Sequence, residues 1–131
     1  MTYRLRFVEV GGIIAALILI GMILVANHIK VRNQSFQSMC INNLRLIDSA
    51  KKQWGLEQGK KGTDIPTVTE LWGNMWRGGG SRDGYPEFDE AKLPCCPADP
   101  AQSFRTSYEI RSVEKPPICL IDSKNHVLPP Q

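Results

Sequence analysis

The sequence predicts an α+β fold: a long N-terminal helix, membrane-type in its first half and amphipathic in its second, packed on a small C-terminal antiparallel sheet. Three observations predict it. Residues Val10 to Ala26 carry no charge, and the stretch from Met22 to Trp54 contains neither proline nor glycine. Beyond Ser107 the chain alternates apolar and polar residues, as half-buried strands do.

The apolar stem comes first. As a helix, Val10 to Ala26 rises about 26 Å, and adding Phe7 and Val8 brings it to the roughly 30 Å of a hydrocarbon core. The residues that follow, Asn27-His28-Ile29-Lys30-Val31-Arg32, offer neither a small-x-small cleavage site nor a helix breaker, so the stem reads as an uncleaved span in membrane lipid. The expected organisation is a flank at 1–9, a transmembrane helix at 10–26, its helical continuation at 27–58 and a head at 59–131 that packs with 36–58. Arg4 and Arg6 balance Lys30 and Arg32 across the span, so the positive-inside rule does not fix the orientation. The four cysteines suit an oxidising compartment, which places residues 1–9 in the cytoplasm and the head outside it. Gly12 and Ala16 are spaced for close helix approach, a spacing that ordinary membrane composition also produces.

Beyond the stem, Phe36, Cys40, Leu44, Ile47, Ala50 and Trp54 recur at helical steps on one face. Gln37, Asn42, Arg45, Asp48 and Lys52 fall on the other and are expected to face solvent. Gly59 and Gly62 supply the stop. Thr67 with Glu70 forms a capping-box pattern that starts a short helix running to about Trp76. Its Leu71, Trp72 and Met75 are expected to close over the stripe, with Trp76 at the rim. Gly78-Gly79-Gly80 ends this helix, and prolines and glycines forbid long regular structure from Ser81 to Pro100. Strands are predicted at Ser107–Val113, Ile118–Ile121 and His126–Leu128, the first two joined as a hairpin through Glu114-Lys-Pro-Pro117.

Composition excludes some functions. The net charge of +3 is dispersed, with no basic run longer than the pairs Lys51-Lys52 and Lys60-Lys61, so no nucleic-acid groove is indicated. No nucleophile elbow, phosphate loop or HExxH pattern is present, and no catalytic residue is assigned. His28 falls at the membrane interface and His126 in a strand. Asp83, Glu87, Asp89 and Glu90 do not match a calcium loop and read as a solvated loop. Cys40, Cys95, Cys96 and Cys119 could ligate zinc or form disulfides. Because Cys95 and Cys96 are adjacent and neither histidine completes a recognised zinc spacing, disulfides are the expected state, with no metal or other cofactor.

The run Cys40-Ile-Asn-Asn-Leu-Arg-Leu-Ile-Asp-Ser-Ala-Lys-Lys-Gln-Trp54, with Leu56-Glu57, Pro66-Thr67, Cys96-Pro97, Tyr108, Pro117-Ile-Cys119 and His126-Val-Leu-Pro129, resembles the type IV pilin-like and pseudopilin-like proteins abundant in planctomycetes and verrucomicrobia. The resemblance implies a pilin-like fold and a structural, non-enzymatic role. It also implies like or related pilin subunits as partners, in a type IV pilus-like or type II secretion-like filament of the bacterial inner membrane, with the head in the periplasm or at the cell surface. It gives Glu9, with Gly12 and Ala16, an assembly role, since the corresponding acid of pilin-like filaments is thought to pair with a neighbour's N-terminal amine. The simpler alternative places Glu9 at headgroup depth, stabilised by the helix dipole.

Four cysteines allow three pairings. The hairpin, and the family's CP and PxC positions, favour Cys96–Cys119 and leave Cys40–Cys95. The N-terminus departs from the family pattern. Processed prepilins carry a glycine, then an aromatic first mature residue, then a glutamate four residues on. Here Arg6 precedes Phe7 and Glu9 follows it by only two, while taking Glu9 as the acid puts Arg4 and Leu5 at the processing site. A permanently anchored binding or scaffolding protein with a pilin-like head is therefore the alternative to a filament subunit.

Overall fold

A computed structural model describes the backbone over residues 2–76 and 87–129, with side chains over 10–75 and 87–129. Helix α1 (Thr2–Gln58) is followed by α2 (Val68–Trp76), a 3-10 turn at Glu90–Lys92, the single-turn α3 (Phe104–Ser107) and strands β1 (Tyr108–Glu109) and β2 (Ile118–Cys119). The chain divides into two compact units, Met1–Ser35 and Phe36–Gln131.

The first unit is helix alone. Val10, Ile13, Leu17, Ile20 and Leu24 are each more than half exposed, and none of its most apolar stretch is buried within the chain. The helix is long and apolar enough to cross a membrane. At Gly12, an added Cβ would meet no described atom within 4 Å, and Ala16 is exposed. The backbone at Glu9 is helical, and its side chain lies outside the described residues.

In the second unit the stripe on α1 forms the core. Cys40, Leu44, Ile47, Ala50 and Trp54 are buried with Leu71, Trp72 and Met75 of α2 and with Leu93, Phe104 and Tyr108. Each large apolar side chain so removed from water contributes about 1.5–3 kcal/mol. Phe36 is only half-buried. α1 ends in a Schellman motif: Gly59 adopts φ +59°, which a glycine tolerates without Cβ strain, and Lys60 N–H donates to the Gly55 carbonyl at 2.9 Å. Lys60 Nζ then lies over the Trp54 ring, 5.4 Å from its centroid. The capping box forms as expected, with Thr67 N–H donating to Glu70 Oε2 at 2.7 Å and Glu70 N–H to Thr67 Oγ1 at 3.3 Å.

The solvent face of α1 needs correction at Asp48, which is buried. It pairs with Lys52 at 2.8 Å and approaches Lys51 at 3.9 Å. Lys51 has no exposed surface, and its Nζ donates to the carbonyls of Ser112 at 2.8 Å and Lys115 at 2.5 Å. Burial pushes the Lys51 amine down to about 8, against the opposing pull of Asp48.

The sheet is shorter than predicted. β1 and β2 pair antiparallel with Tyr108 opposite Cys119 and Glu109 opposite Ile118. Ser107 belongs to α3, which the strand pattern concealed. At the other end Arg111 takes φ 60° and breaks the extended run. The chain beyond it pairs elsewhere, Val113 N–H with Asp64 O and Glu114 N–H with Gly62 O, both at 3.0 Å. The third predicted strand does not form: His126 N–H closes the preceding turn on Asp122 O at 3.0 Å, and residues 127–128 are irregular.

Candidate metal centre

Four elements deliver one side chain each to a single buried point. α1 supplies Cys40, the loop before α3 supplies Cys96, β2 supplies Cys119 and the C-terminal turn supplies His126. The three sulfurs and a ring nitrogen all lie within 4.8 Å of one another. His126 Nδ1 is 3.5 Å from Cys96 Sγ and 3.6 Å from Cys119 Sγ. The cysteines have no exposed surface and His126 is 6% exposed.

Local chemistry fixes each ligand. Cys40 sits where the apolar face of α1 begins to be buried, and Tyr108 Oη donates to its sulfur at 3.6 Å. Asn43, one turn along α1, holds that phenol at 3.1 Å and the Cys95 carbonyl at 3.0 Å through the same Nδ2. Cys96 opens a turn closed by Asp99 N–H on its carbonyl at 2.9 Å. Its own N–H donates to Ser107 Oγ at 2.9 Å, and Ser107 Oγ–H donates to Asp99 Oδ2 at 2.7 Å. Thr106 Oγ1 and Ala101 N–H also donate to Asp99, at 2.6 and 2.9 Å. These bonds from Thr106 and Ser107 hold the Asp99 carboxyl below the usual aspartate range. Cys119 is placed by its register with Tyr108. The turn carrying His126 is closed by Asp122, whose carboxylate accepts from Lys124 N–H, Asn125 N–H and Asn125 Nδ2. Gln37 Nε2 fastens that turn to α1 by donating to Asn125 O at 2.7 Å.

Burial pushes the Cys40 thiol up, and the nearby Cys119 and Cys96 add to the shift. Burial also raises Cys96 and keeps the Tyr108 phenol protonated as a donor. Three thiolates this close repel one another in a medium of low dielectric, and a bound dication is the group that relieves the repulsion.

No disulfide joins the cysteines, all four of which are free. The structure brings Cys96 and Cys119 together, as the expected pairing requires, but with Cys40 and His126 in the same cluster. Cys95 stands outside the cluster and is only half-buried, so the Cys40–Cys95 bond is not formed. With free cysteines, the cysteine count no longer bears on which side of a membrane the head occupies. The expected strand histidine, His126, is instead part of the cluster, while His28 is exposed on α1.

Among the described residues, Asp89 and Glu90 of the acidic group are engaged separately. Asp89 caps the 3-10 turn through Ala91 N–H and pairs with Lys92 at 3.4 Å, and Glu90 pairs with Arg105 at 2.6 Å. Asp83 lies outside the described residues, as do Gly78-Gly79-Gly80 and the Trp76 side chain. Trp72 is buried, edge-on to Phe88 at 5.5 Å.

No protein-family model, curated protein or solved structure matches the chain.

Proposed function

We propose that the chain is a structural, pilin-like subunit of a type IV pilus-like or type II secretion-like filament, assembling through its apolar N-terminal helix. The observation that carries this reading is the row of large apolar side chains between Val10 and Val31, each more than half exposed. Such a surface is stable in water only when lipid or neighbouring stems cover it. The stripe from Cys40 to Trp54 on the same helix is buried in the core of the second unit, an arrangement that supports the pilin-like reading. In this reading residues 1–9 face the cytoplasm, the stem sits in the inner membrane and the head lies in the periplasm, touching no nucleic acid and catalysing no reaction. Glu9, Gly12 and Ala16 contribute to contacts between stems.

A second reading, an unprocessed single-pass anchor with a binding or scaffolding head, is favoured by Arg6 before Phe7 and by the missing processing glycine. N-terminal mass spectrometry of membrane and sheared-filament fractions separates the two. A chain beginning near Leu5 or Phe7 with a methylated amine in the filament fraction supports assembly. Intact Met1 in membranes, with no chain in the filament fraction, overturns the filament reading. Protease added to spheroplasts should digest the head, and a head protected until lysis contradicts the orientation.

A further inference from the structure

We propose that Cys40, Cys96, Cys119 and His126 bind one zinc ion in a closed, tetrahedral Cys3His structural centre. The inference is independent of filament assembly, since it rests on side chains of the second unit alone.

The geometry matches the ion. With Zn–S near 2.3 Å and Zn–N near 2.05 Å, a tetrahedron has S···N edges of about 3.6 Å and S···S edges of about 3.8 Å. The two contacts of His126 Nδ1, at 3.5 and 3.6 Å, already have that edge length. The widest donor separation, no more than 4.8 Å, has to contract by about 1 Å at most to reach it.

The donors select the metal. Three sulfurs and an imidazole suit zinc, whereas calcium and magnesium require oxygen ligands that this cluster lacks. As the ion enters, three thiol protons leave to solvent, Nδ1 binds as neutral imidazole and its proton resides on Nε2. Burial leaves no position open to substrate, which marks a structural site rather than a catalytic one.

The surroundings are those of a built site. Tyr108 Oη donates to the Cys40 sulfur, the Asp99–Ser107 chain holds the Cys96 backbone, and Asp122 with Gln37 holds the His126 turn. Outer contacts of this kind orient ligands and tune their basicity. A disulfide would serve the cluster poorly, because joining any two of its three sulfurs strands the third beside a histidine.

The test uses the full chain in detergent micelles, purified under reducing conditions and probed first with cobalt(II) and then with zinc(II). About one cobalt per chain with intense tetrahedral bands, displaced stoichiometrically by zinc, is expected. Before chelation an alkylating reagent should modify Cys95 alone, and after chelation all four cysteines. C95S should keep the metal. C119S should lose the intense bands, and in case that variant fails to fold, H126C should bind about one cobalt with a spectrum shifted toward four sulfur ligands. Weak octahedral cobalt bands, zinc far below one per chain, an adventitious metal bound equally by C119S, or loss of the metal in C95S would overturn the proposal.

Discussion

His126 Nδ1 lies 3.5 Å from Cys96 Sγ, although thirty positions separate the two residues. The contact ties the C-terminal turn to the loop before α3, and through Cys40 and Cys119 the same cluster reaches α1 and β2. A two-residue strand pair is too small to order a sheet alone. A centre that gathers four elements supplies the missing restraint.

The adjacent cysteines should therefore behave oppositely. C96S is expected to lower the stability of the head by several kcal/mol, since structural zinc contributes about 10 kcal/mol or more of folding free energy in small domains. C95S should stay within about 1 kcal/mol of the parent, because Cys95 is half-buried, lies outside the cluster and changes only a sulfur for an oxygen. Chemical denaturation in reductant with excess zinc makes the comparison, and equal losses would contradict it.

Asp99 is a positioning residue. Its carboxylate accepts from Thr106, Ser107 and Ala101 while Ser107 Oγ accepts from the Cys96 N–H. D99N replaces one acceptor oxygen with a donor and disrupts that chain. Zinc affinity should fall about 10- to 100-fold, the usual cost of an outer-shell change. Competition against a chromophoric chelator measures it, and unchanged affinity would show that the Cys96 turn holds without the carboxylate.

Lys51 predicts a pH dependence. Its amine is pushed down to about 8 when folded, chiefly by burial, from an ordinary 10.5, with Asp48 opposing and Arg111 and Lys52 reinforcing the shift. Between those values the unfolded chain binds a proton that the folded chain does not, so folding stability rises with pH across about 8 to 10.5. K51M should remove this rise relative to the parent. At pH 7 it should also cost about 1–3 kcal/mol by leaving the part-buried Lys115 carbonyl without its donor, while the Ser112 carbonyl keeps the Lys115 N–H at 3.1 Å. Urea titrations of both chains at pH 7, 8, 9 and 10 test the point, and parallel stability curves would refute it.

At the start of α2, T67A removes the hydroxyl that accepts from Glu70 N–H. The expected loss is about 0.5–2 kcal/mol of stability. A melting temperature within error of the parent would mean that packing of Leu71, Trp72 and Met75 alone holds this helix.

Periodic features are legible in the sequence. The apolar stripe of α1, the stop at Gly59 and the Thr67 capping box each depend on residues a few positions apart, and each forms as expected. Ser107–Val113 fails as a strand because nothing in its alternation reveals that Arg111 turns left-handed or that Ser107 closes a helical turn. Lys51 reads in the sequence as one of a basic pair, yet it falls four positions after Ile47 and seven after Leu44, on the buried face. The cluster is hidden because its ligands come from four elements and share no short spacing. One signal is present: Cys40, Cys96, Cys119 and His126 are an odd set, since three cysteines with a histidine cannot all pair as disulfides.

X-ray absorption at the zinc edge of the full chain in detergent measures the centre most directly. The account predicts a first shell of about three sulfurs near 2.3 Å and one nitrogen near 2.05 Å. A shell of nitrogen and oxygen atoms without sulfur would contradict it.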